Sequence, residues 1–303
     1  MRHVSVFFLG ALVLAGCATT PLPTVRFPDT EPVSSATVAS AKTKPLRIAM
    51  AAVISPKGNV ESYSALLEYI GAKLNRPIEL VQRMTYAEVN ELLQRGDADI
   101  AFVCTSAYVI GQREFGMELL VAPQVRGETV YYSLLIVPAD SPARSLQDLR
   151  GKTFAFTDPL SLTGRLYPTQ LVSAFQTTPE EFFERTFFTY SHDNAIRAVA
   201  SGVADGANVD NLVYEFLVAR EPSIGKNTRV IHRSPPFGIP PVVVNPKLDP
   251  QLKLQLREIL IQADREEQGQ RILQDLMIDR FVVVSDHIYD SAREMELQVN
   301  TAP

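Results

Sequence analysis

The chain has little of what builds a disulfide-braced, membrane-spanning or metal-binding protein. It contains only two cysteines in 303 residues, so if Cys17 carries a lipid, Cys104 has no partner for an intramolecular disulfide. Beyond residue 14 no apolar stretch approaches the roughly 20 residues that a membrane-spanning helix needs. His192, His232 and His287 show no metal-ligand spacing. With 29 basic against 34 acidic residues and no basic block, nucleic acid is not an expected partner.

The N-terminus predicts export and a lipid anchor. Arg2 precedes an almost wholly apolar run from Val4 to Leu14, which is too short to span a bilayer but suits a secretory signal. The run ends in Leu-Ala-Gly before Cys17, and this resembles the bacterial lipobox. We therefore expect residues 1–17 to be a lipoprotein signal, with lipid on the Cys17 sulfur. The alternative is a plain secretory signal that happens to contain a cysteine.

The next segment predicts a tether. Residues 18–45 hold five prolines among Thr, Ser and Ala, without an apolar period. Such a composition buries too little surface to offset chain ordering, so an extended or disordered segment is expected. The folded part is then expected at about 46–295, with 296–303 as a tail. The lipid would hold it at the periplasmic or extracytoplasmic face of a membrane. Ala18, directly after Cys17, resembles the outer-membrane retention pattern of Gram-negative cells, and the inner membrane is the alternative.

An internal repeat at a constant offset of 106 residues predicts the architecture. The segment at 86–108, YAEVNELLQRGDADIAFVCTSAY, aligns without a gap with 192–214, HDNAIRAVASGVADGANVDNLVY. The same offset superimposes the strand-like segments at 47–50 and 153–156. Identical residues in the two long segments are Gly96/Gly202, Ala98/Ala204, Asp99/Asp205, Ala101/Ala207, Val103/Val209 and Tyr108/Tyr214. One ungapped offset across separate blocks indicates two equivalent halves.

Each half alternates strands and helices, which predicts an α/β fold with a parallel sheet in each copy. In open α/β sheets ligands lie beyond the carboxyl ends of the strands, so two such lobes would enclose a cleft. The β-rich runs at 131–137 and 228–232 are expected to cross between lobes. Lobe one would comprise 46–132 plus 235–295, and lobe two 133–234.

These stretches resemble the phosphate, phosphite and phosphonate substrate-binding proteins of ATP-driven (ABC) importers. The matching segments, in family order, are GKTFAFTDP at 151–159, SLTG at 161–164, SHDNA at 191–195, 275–281 and YYS at 131–133. The resemblance implies a type II periplasmic-binding fold, with two parallel or mixed sheets, flanking helices and a two-strand hinge. It implies no catalytic activity.

Ser161, Thr163 and the amide of Gly164 are the first ligand candidates. They form a hydroxyl-bearing turn at a predicted helix start, where free amides and the helix dipole favour an anion. The family usually places a hydroxyl residue between Ser161 and Thr163, and Leu162 there removes one donor. An ordinary N-cap turn is the alternative interpretation.

Two further candidates belong to lobe two. His192 precedes a helix and is expected to donate to an oxyanion, with a pKa near ambient pH that would allow it to add charge. Asp210 follows a strand whose counterpart in lobe one ends in Cys104. A carboxylate there would accept a proton from a singly protonated phosphonate or pair with a ligand amine, unless it only caps a helix. Asp205 is expected to be structural.

Candidates from lobe one and the hinge are hydroxyl residues. Tyr108 and Tyr132 offer a rigid ring and a donor. Thr105 and Ser106 open the predicted helix after the strand at 100–103 and face the cleft from the opposite wall. Ser55 and Lys57, the repeat counterparts of Ser161 and Thr163, are weaker candidates. Core packing is the competing explanation for the two tyrosines.

The function expected is therefore capture of a small phosphonate-, phosphite- or phosphate-like oxyanion and its delivery to an ABC permease and ATPase. We expect a monomer without a cofactor. A sensory lipoprotein that signals to a receptor kinase is one alternative. An enzyme on the same scaffold is another, although no nucleophile–base pair or phosphate-cradling glycine motif is present.

Overall fold

The computed structural model describes residues 44–301, with side chains to residue 299. Within this range two separate β-sheets form the centres of two lobes. The expected signal segment, the lipidation site Cys17 and the first part of the expected tether lie outside the described residues. No helix within residues 44–301 has the length and apolarity to cross a membrane. The same range contains no group of three His, Cys, Asp or Glu side chains arranged to hold a metal ion.

Lobe one is built on a six-stranded sheet. Its strands, in the spatial order β13-β4-β12-β3-β1-β2, are β1 (Leu46–Met50), β2 (Ile78–Gln82), β3 (Ile100–Phe102), β4 (Glu118–Gln124), β12 (Val242–Val244) and β13 (Arg280–Val282). The strands β3, β1 and β2 are parallel, whereas β12 runs antiparallel to both of its neighbours and β13 runs antiparallel to β4. The central strands are almost continuously apolar because helices cover both faces of the sheet.

Lobe two repeats this arrangement with five strands. The order β10-β6-β9-β7-β8 is made by β6 (Ser133–Pro138), β7 (Thr153–Phe156), β8 (Arg185–Phe188), β9 (Gly206–Asp210) and β10 (Thr228–Arg233). Here β9, β7 and β8 are parallel, and β6 and β10 run antiparallel to their neighbours. The parallel core expected from the repeat is present in both lobes, and the antiparallel strands make each sheet mixed.

Eleven α-helices lie within the described residues. They are α1 (Pro56–Leu74), α2 (Tyr86–Arg95), α3 (Thr105–Phe115), α4 (Tyr167–Ser173), α5 (Pro179–Phe182), α6 (His192–Ala200), α7 (Asn211–Arg220), α8 (Pro222–Asn227), α9 (Pro250–Gln262), α10 (Glu267–Asp275) and α11 (Asp290–Thr301). A π-helical turn at Leu162–Leu166 precedes α4. Helix α2 illustrates how the sequence sets the two ends of a helix. Thr85 and Glu88 make a reciprocal capping box at its start, and Gly96 ends the helix with a φ of 76°.

The repeat is visible in its hydrogen bonds. Asp99 accepts from the backbone N–H of Arg47 at 2.8 Å, and Asp205, 106 residues later, accepts from the N–H of Thr153 at 2.9 Å. In both lobes an aspartate at the turn before one central strand therefore accepts from an amide at the start of the neighbouring strand. This contact gives Asp205 the structural role expected for it.

The chain crosses between the sheets in two segments that pair with each other. Strand β5 (Val130–Tyr131) leads into β6, and β11 (Phe237–Gly238) follows β10. The two short strands pair antiparallel, Tyr131 opposite Phe237 and Val130 opposite Gly238. This link is two-stranded, as expected, but its position differs from the expectation. Most of the runs at 131–137 and 228–232, which were expected to cross between the lobes, form β6 and β10 of the lobe-two sheet.

The C-terminal helix departs from the sequence expectation. Helix α11 continues through the stretch expected to be a tail from residue 296 as far as Thr301. Glu296 is 4% exposed and accepts a charged hydrogen bond from Arg113 of α3 at 2.8 Å. The buried Glu296 and its bond to the half-exposed Arg113 attach the helix to lobe one, so the folded part ends later than the sequence predicted.

Candidate ligand-binding site between the lobes

The two lobes touch through the loops that follow their central strands. Ser55 of lobe one donates from its amide and its hydroxyl to the two carboxylate oxygens of Asp193, at 2.8 and 2.7 Å. In the other direction the N–H of Tyr86, the first residue of α2, donates to Asp158 of lobe two at 3.1 Å. The start of a helix from each lobe therefore meets a loop of the other lobe, and the molecule is closed.

The predicted Ser161 turn lies at this contact. Ser161 is fully buried, and its hydroxyl oxygen accepts from the N–H of Gly164 at 3.0 Å, which caps the π-helical turn. Gly164 has no space for a side chain, because a Cβ there would collide with the Thr157 side chain. The Thr163 hydroxyl is buried and has no hydrogen-bond partner within the described residues. The predicted turn therefore brings a helix start and the unpaired Thr163 hydroxyl to the contact between the lobes.

His192 lies beside the Ser161 turn, but its charge differs from the expectation. Ser161, Thr163, His192 and Asp210 are called the Ser161 cluster below. Its Nδ1 accepts from the Asp210 N–H at 3.0 Å, so the hydrogen is on Nε2, which lies 3.3 Å from the Ser161 hydroxyl oxygen. Burial lowers the pKa of His192 to about 3. The expected pKa near ambient pH is therefore wrong, and the ring is a neutral donor. Since the Ser161 oxygen already accepts from two groups, its own proton is available to a ligand.

Asp210 closes one side of this cluster. It is 2% exposed, and one carboxylate oxygen accepts from the N–H groups of Leu212 and Val213 at 2.7 and 3.4 Å, which caps α7. Burial raises the pKa of Asp210 to about 7, and that of Asp158 to about 6. Asp210 therefore caps α7, and near neutral pH its carboxyl also exists in a protonated form that can donate.

The candidates from lobe one have their polar groups committed elsewhere. The Thr105 hydroxyl donates to the Gly238 carbonyl at 2.8 Å, and the Ser106 hydroxyl donates to the Leu160 carbonyl of the other lobe. The Tyr108 hydroxyl donates to Asp286 at 2.6 Å. Thr105 therefore stabilises the hinge strand β11, and Ser106 connects the two lobes. Tyr108 makes a contact within lobe one.

The hinge candidate and the weaker candidates from α1 also face other partners. The Tyr132 ring lies under the Arg233 guanidinium, 3.5 Å from the ring centroid. Lys57 is largely exposed and approaches Glu61 at 3.7 Å. None of these observations joins Tyr132 or Lys57 to the Ser161 cluster.

Two tyrosines near the Ser161 cluster escaped the sequence analysis. The rings of Tyr86 and Tyr131 are both buried. The Tyr86 hydroxyl has no hydrogen-bond partner within residues 44–299, and the Tyr131 hydroxyl lies near Thr105 and Cys104 without a hydrogen bond of good geometry. Burial, with nearby Cys104 and Asp210, raises the pKa of both well above the ordinary value. Tyr86 had a signal in the sequence, because it is the repeat counterpart of His192. Tyr131 precedes Tyr132, which the sequence predicted, and because side chains alternate along a strand the two rings lie on opposite faces.

Leu162, which replaces a hydroxyl donor usual in the family, packs in the interior of the protein. Its side chain is fully buried in an apolar cluster that includes Ala51, Cys104 and Ala107 of lobe one. A leucine at this position therefore adds an apolar contact across the closed cleft. The free Cys104 thiol in this cluster is also buried, and burial raises its pKa.

Residues 48–289 match the family model described as the periplasmic substrate-binding protein of phosphonate ABC transporters. The chain belongs to this family. Proteins of the phosphonate-binding family are transport components located outside the cytoplasm, which confirms the resemblance read from the sequence.

Two curated relatives have names that refer to phosphate import or phosphonate binding. The phosphate-import protein PhnD of Mycolicibacterium smegmatis is 30% identical over 168 residues, and this match spans about half of each protein, 52% of this chain and 52% of the relative. The phosphonates-binding periplasmic protein of Escherichia coli is 28% identical over 231 residues, or 74% of this chain and 68% of that protein.

A solved structure shows the same fold. It is a binding-protein component of an ABC phosphonate transporter from Pseudomonas aeruginosa, with a TM-score of 0.80 and 23% identity, covering 85% of this chain and 87% of the other. The likeness confirms the two-lobed α/β periplasmic-binding fold with mixed sheets.

Proposed function

We propose that this protein captures a small phosphorus oxyanion of the phosphonate class between its lobes and presents it to an ABC permease and its ATPase. Closure follows from ligand contacts made by both lobes, and the permease recognises the closed form. The names of the two curated relatives, one a phosphate importer and one a phosphonate binder, support this ligand class.

One observation carries the proposal. Four buried hydroxyls near the Ser161 turn, those of Tyr86, Tyr131, Thr157 and Thr163, lack a hydrogen-bond partner within the described residues. An unpaired buried polar group costs about 1–3 kcal/mol, so several together in one region are best explained by a ligand that pairs with them. An oxyanion has the several acceptor lone pairs that such a set of donors requires.

The electrostatics of the site agree with an anion that carries one proton. Within residues 44–299, no Lys or Arg side chain makes a hydrogen bond to Ser161, Thr163, His192 or Asp210. The anion would be held by neutral donors and by the positive end of the helix that begins after Ser161. Asp210, with a pKa near 7, would accept a proton from a monoprotonated phosphonate or pair with a ligand amine. A ligand with no donor would leave this carboxylate unpaired and would be rejected.

Further parts of the proposal concern the whole protein. We infer that it acts without catalysis, because the buried hydroxyls and neutral imidazole bind and orient an oxyanion but are not paired with an activated nucleophile. We also propose lipidation of Cys17 as the membrane anchor and a monomeric state. Mass spectrometry of the membrane fraction tests the lipid, and light scattering of the purified protein tests the monomer.

The ligand is tested by thermal shift on the purified protein with phosphate, phosphite, methylphosphonate and 2-aminoethylphosphonate. A ligand that binds only the folded state raises the melting temperature. In Thr163→Val, which keeps the shape and removes one donor, we expect affinity to fall by about 1.5–3 kcal/mol, the worth of a hydrogen bond to a charged group. Thr178→Val, at an exposed position, is the matched control. The proposal fails if none of the four compounds shifts the transition, or if both variants bind equally well.

A further inference from the structure

A second feature between the lobes lies next to the oxyanion site. A cavity of about 160 Å³ has walls from both lobes and is lined mainly by carbon. Tyr63, Phe102 and Phe281 contribute from lobe one, and Leu212 and Phe216 from lobe two. Because the walls come from both lobes, whatever fills the cavity contacts both of them and favours the closed form.

The charges around this cavity make it unsuitable for an anionic head group. Among the described residues that line it, the carboxylates are Asp210 and Glu215 and the cation is Arg126. Arg126 of lobe one is held by Glu215 of lobe two in an ion pair at 2.7 Å. With that cation paired and aromatic walls around it, the cavity favours an apolar group.

Asp210 links the cavity to the oxyanion site. Its side chain lines the cavity, while its backbone N–H donates to His192, which in turn approaches Ser161. The same carboxyl helps to raise the pKa of Tyr63 in the cavity wall and of Tyr86 in the oxyanion site. Asp210 therefore belongs both to the group around Ser161 and to the cavity wall, so the two sites adjoin at this residue.

We propose that this cavity is a subsite for the organic substituent of the ligand, and that the preferred ligand is a phosphonate bearing an apolar group about the size of a phenyl ring. A cavity of about 150 Å³ lined by Leu, Ile and Phe is known to hold benzene, which sets the size. The inference rests on the proposed function, because the oxyanion site orients the substituent.

The test is isothermal titration of the purified protein with methylphosphonate and benzylphosphonate. We expect benzylphosphonate to bind roughly ten- to hundred-fold more tightly, because each additional buried carbon group makes the free energy of binding more favourable. Val125→Trp fills the cavity from a half-buried lining position and should abolish this preference while leaving methylphosphonate binding intact. Ile278→Trp, at another lining position, should act in the same way. Val283→Trp, at a position 61% exposed and outside the cavity lining, should change neither affinity.

The outcomes separate the two proposals. If methylphosphonate binds and benzylphosphonate binds no more tightly, the subsite is refuted and the proposed function stands. If benzylphosphonate keeps its advantage in both filled variants, its ring lies elsewhere and the subsite is again refuted. If neither compound binds the unaltered protein, and the other oxyanions also fail, both proposals fall together.

Discussion

The buried carboxyl of Asp210 predicts that removing its charge stabilises the protein. Its pKa rises from 3.8 to about 7 on folding, a difference worth about 4 kcal/mol. Since the folded state favours the protonated form of Asp210, the stability gained from that form is fully present below about pH 4. It is lost as the pH rises to about 7. In Asp210→Asn the side chain is neutral at every pH, and asparagine caps a helix about as well as aspartate.

We therefore expect Asp210→Asn to exceed the unaltered protein in unfolding free energy by up to about 4 kcal/mol near pH 8, and by less than about 1 kcal/mol near pH 4. Urea denaturation of both ligand-free proteins at several pH values measures this difference. Buried His192 and Asp158 are common to the two proteins, so their titrations cancel in the comparison. Asp97→Asn, at an exposed position, is the control. A difference that does not change with pH, or a variant less stable near pH 8, would refute the reasoning.

Two further predictions concern the turn and the closed form. Gly164→Ala places a Cβ against the Thr157 side chain and should cost about 1–3 kcal/mol of stability through overpacking; an unchanged urea midpoint would contradict this. Ser55→Ala removes one of two hydrogen bonds to Asp193 across the lobes and should open the ligand-free protein, seen as a larger radius of gyration in solution scattering. Ser62→Ala on the same helix is the control, and equal radii for the two variants would count against the contact.

The features predictable from the sequence were those that repeat or depend on near neighbours. The 106-residue offset located the parallel strands of both lobes, and Asp99 and Asp205 make equivalent backbone bonds. The turn at Ser161 and the cap at Asp210 also follow local rules, because both side chains bond to amides two or three residues ahead.

The features that escaped prediction depend on where a side chain points and how deeply it is buried. Tyr108 bonds to Asp286, which lies 178 residues further along the chain. Tyr131 rather than Tyr132 is fully buried, a difference of one residue that a strand converts into a difference of face. The low pKa of His192 arises from burial, which depends on the packing of the lobes.

For this protein, the resemblance of short motifs indicated the family, and repetition and local patterns predicted the α/β alternation and the turn at Ser161, since these are encoded in short stretches of adjacent residues. Only the tertiary structure decided which hydroxyls remain unpaired, which carboxyl becomes a weak acid and where an apolar cavity opens. Each of these depends on contacts between residues from both lobes, and desolvation acts on the assembled site rather than on any segment of it.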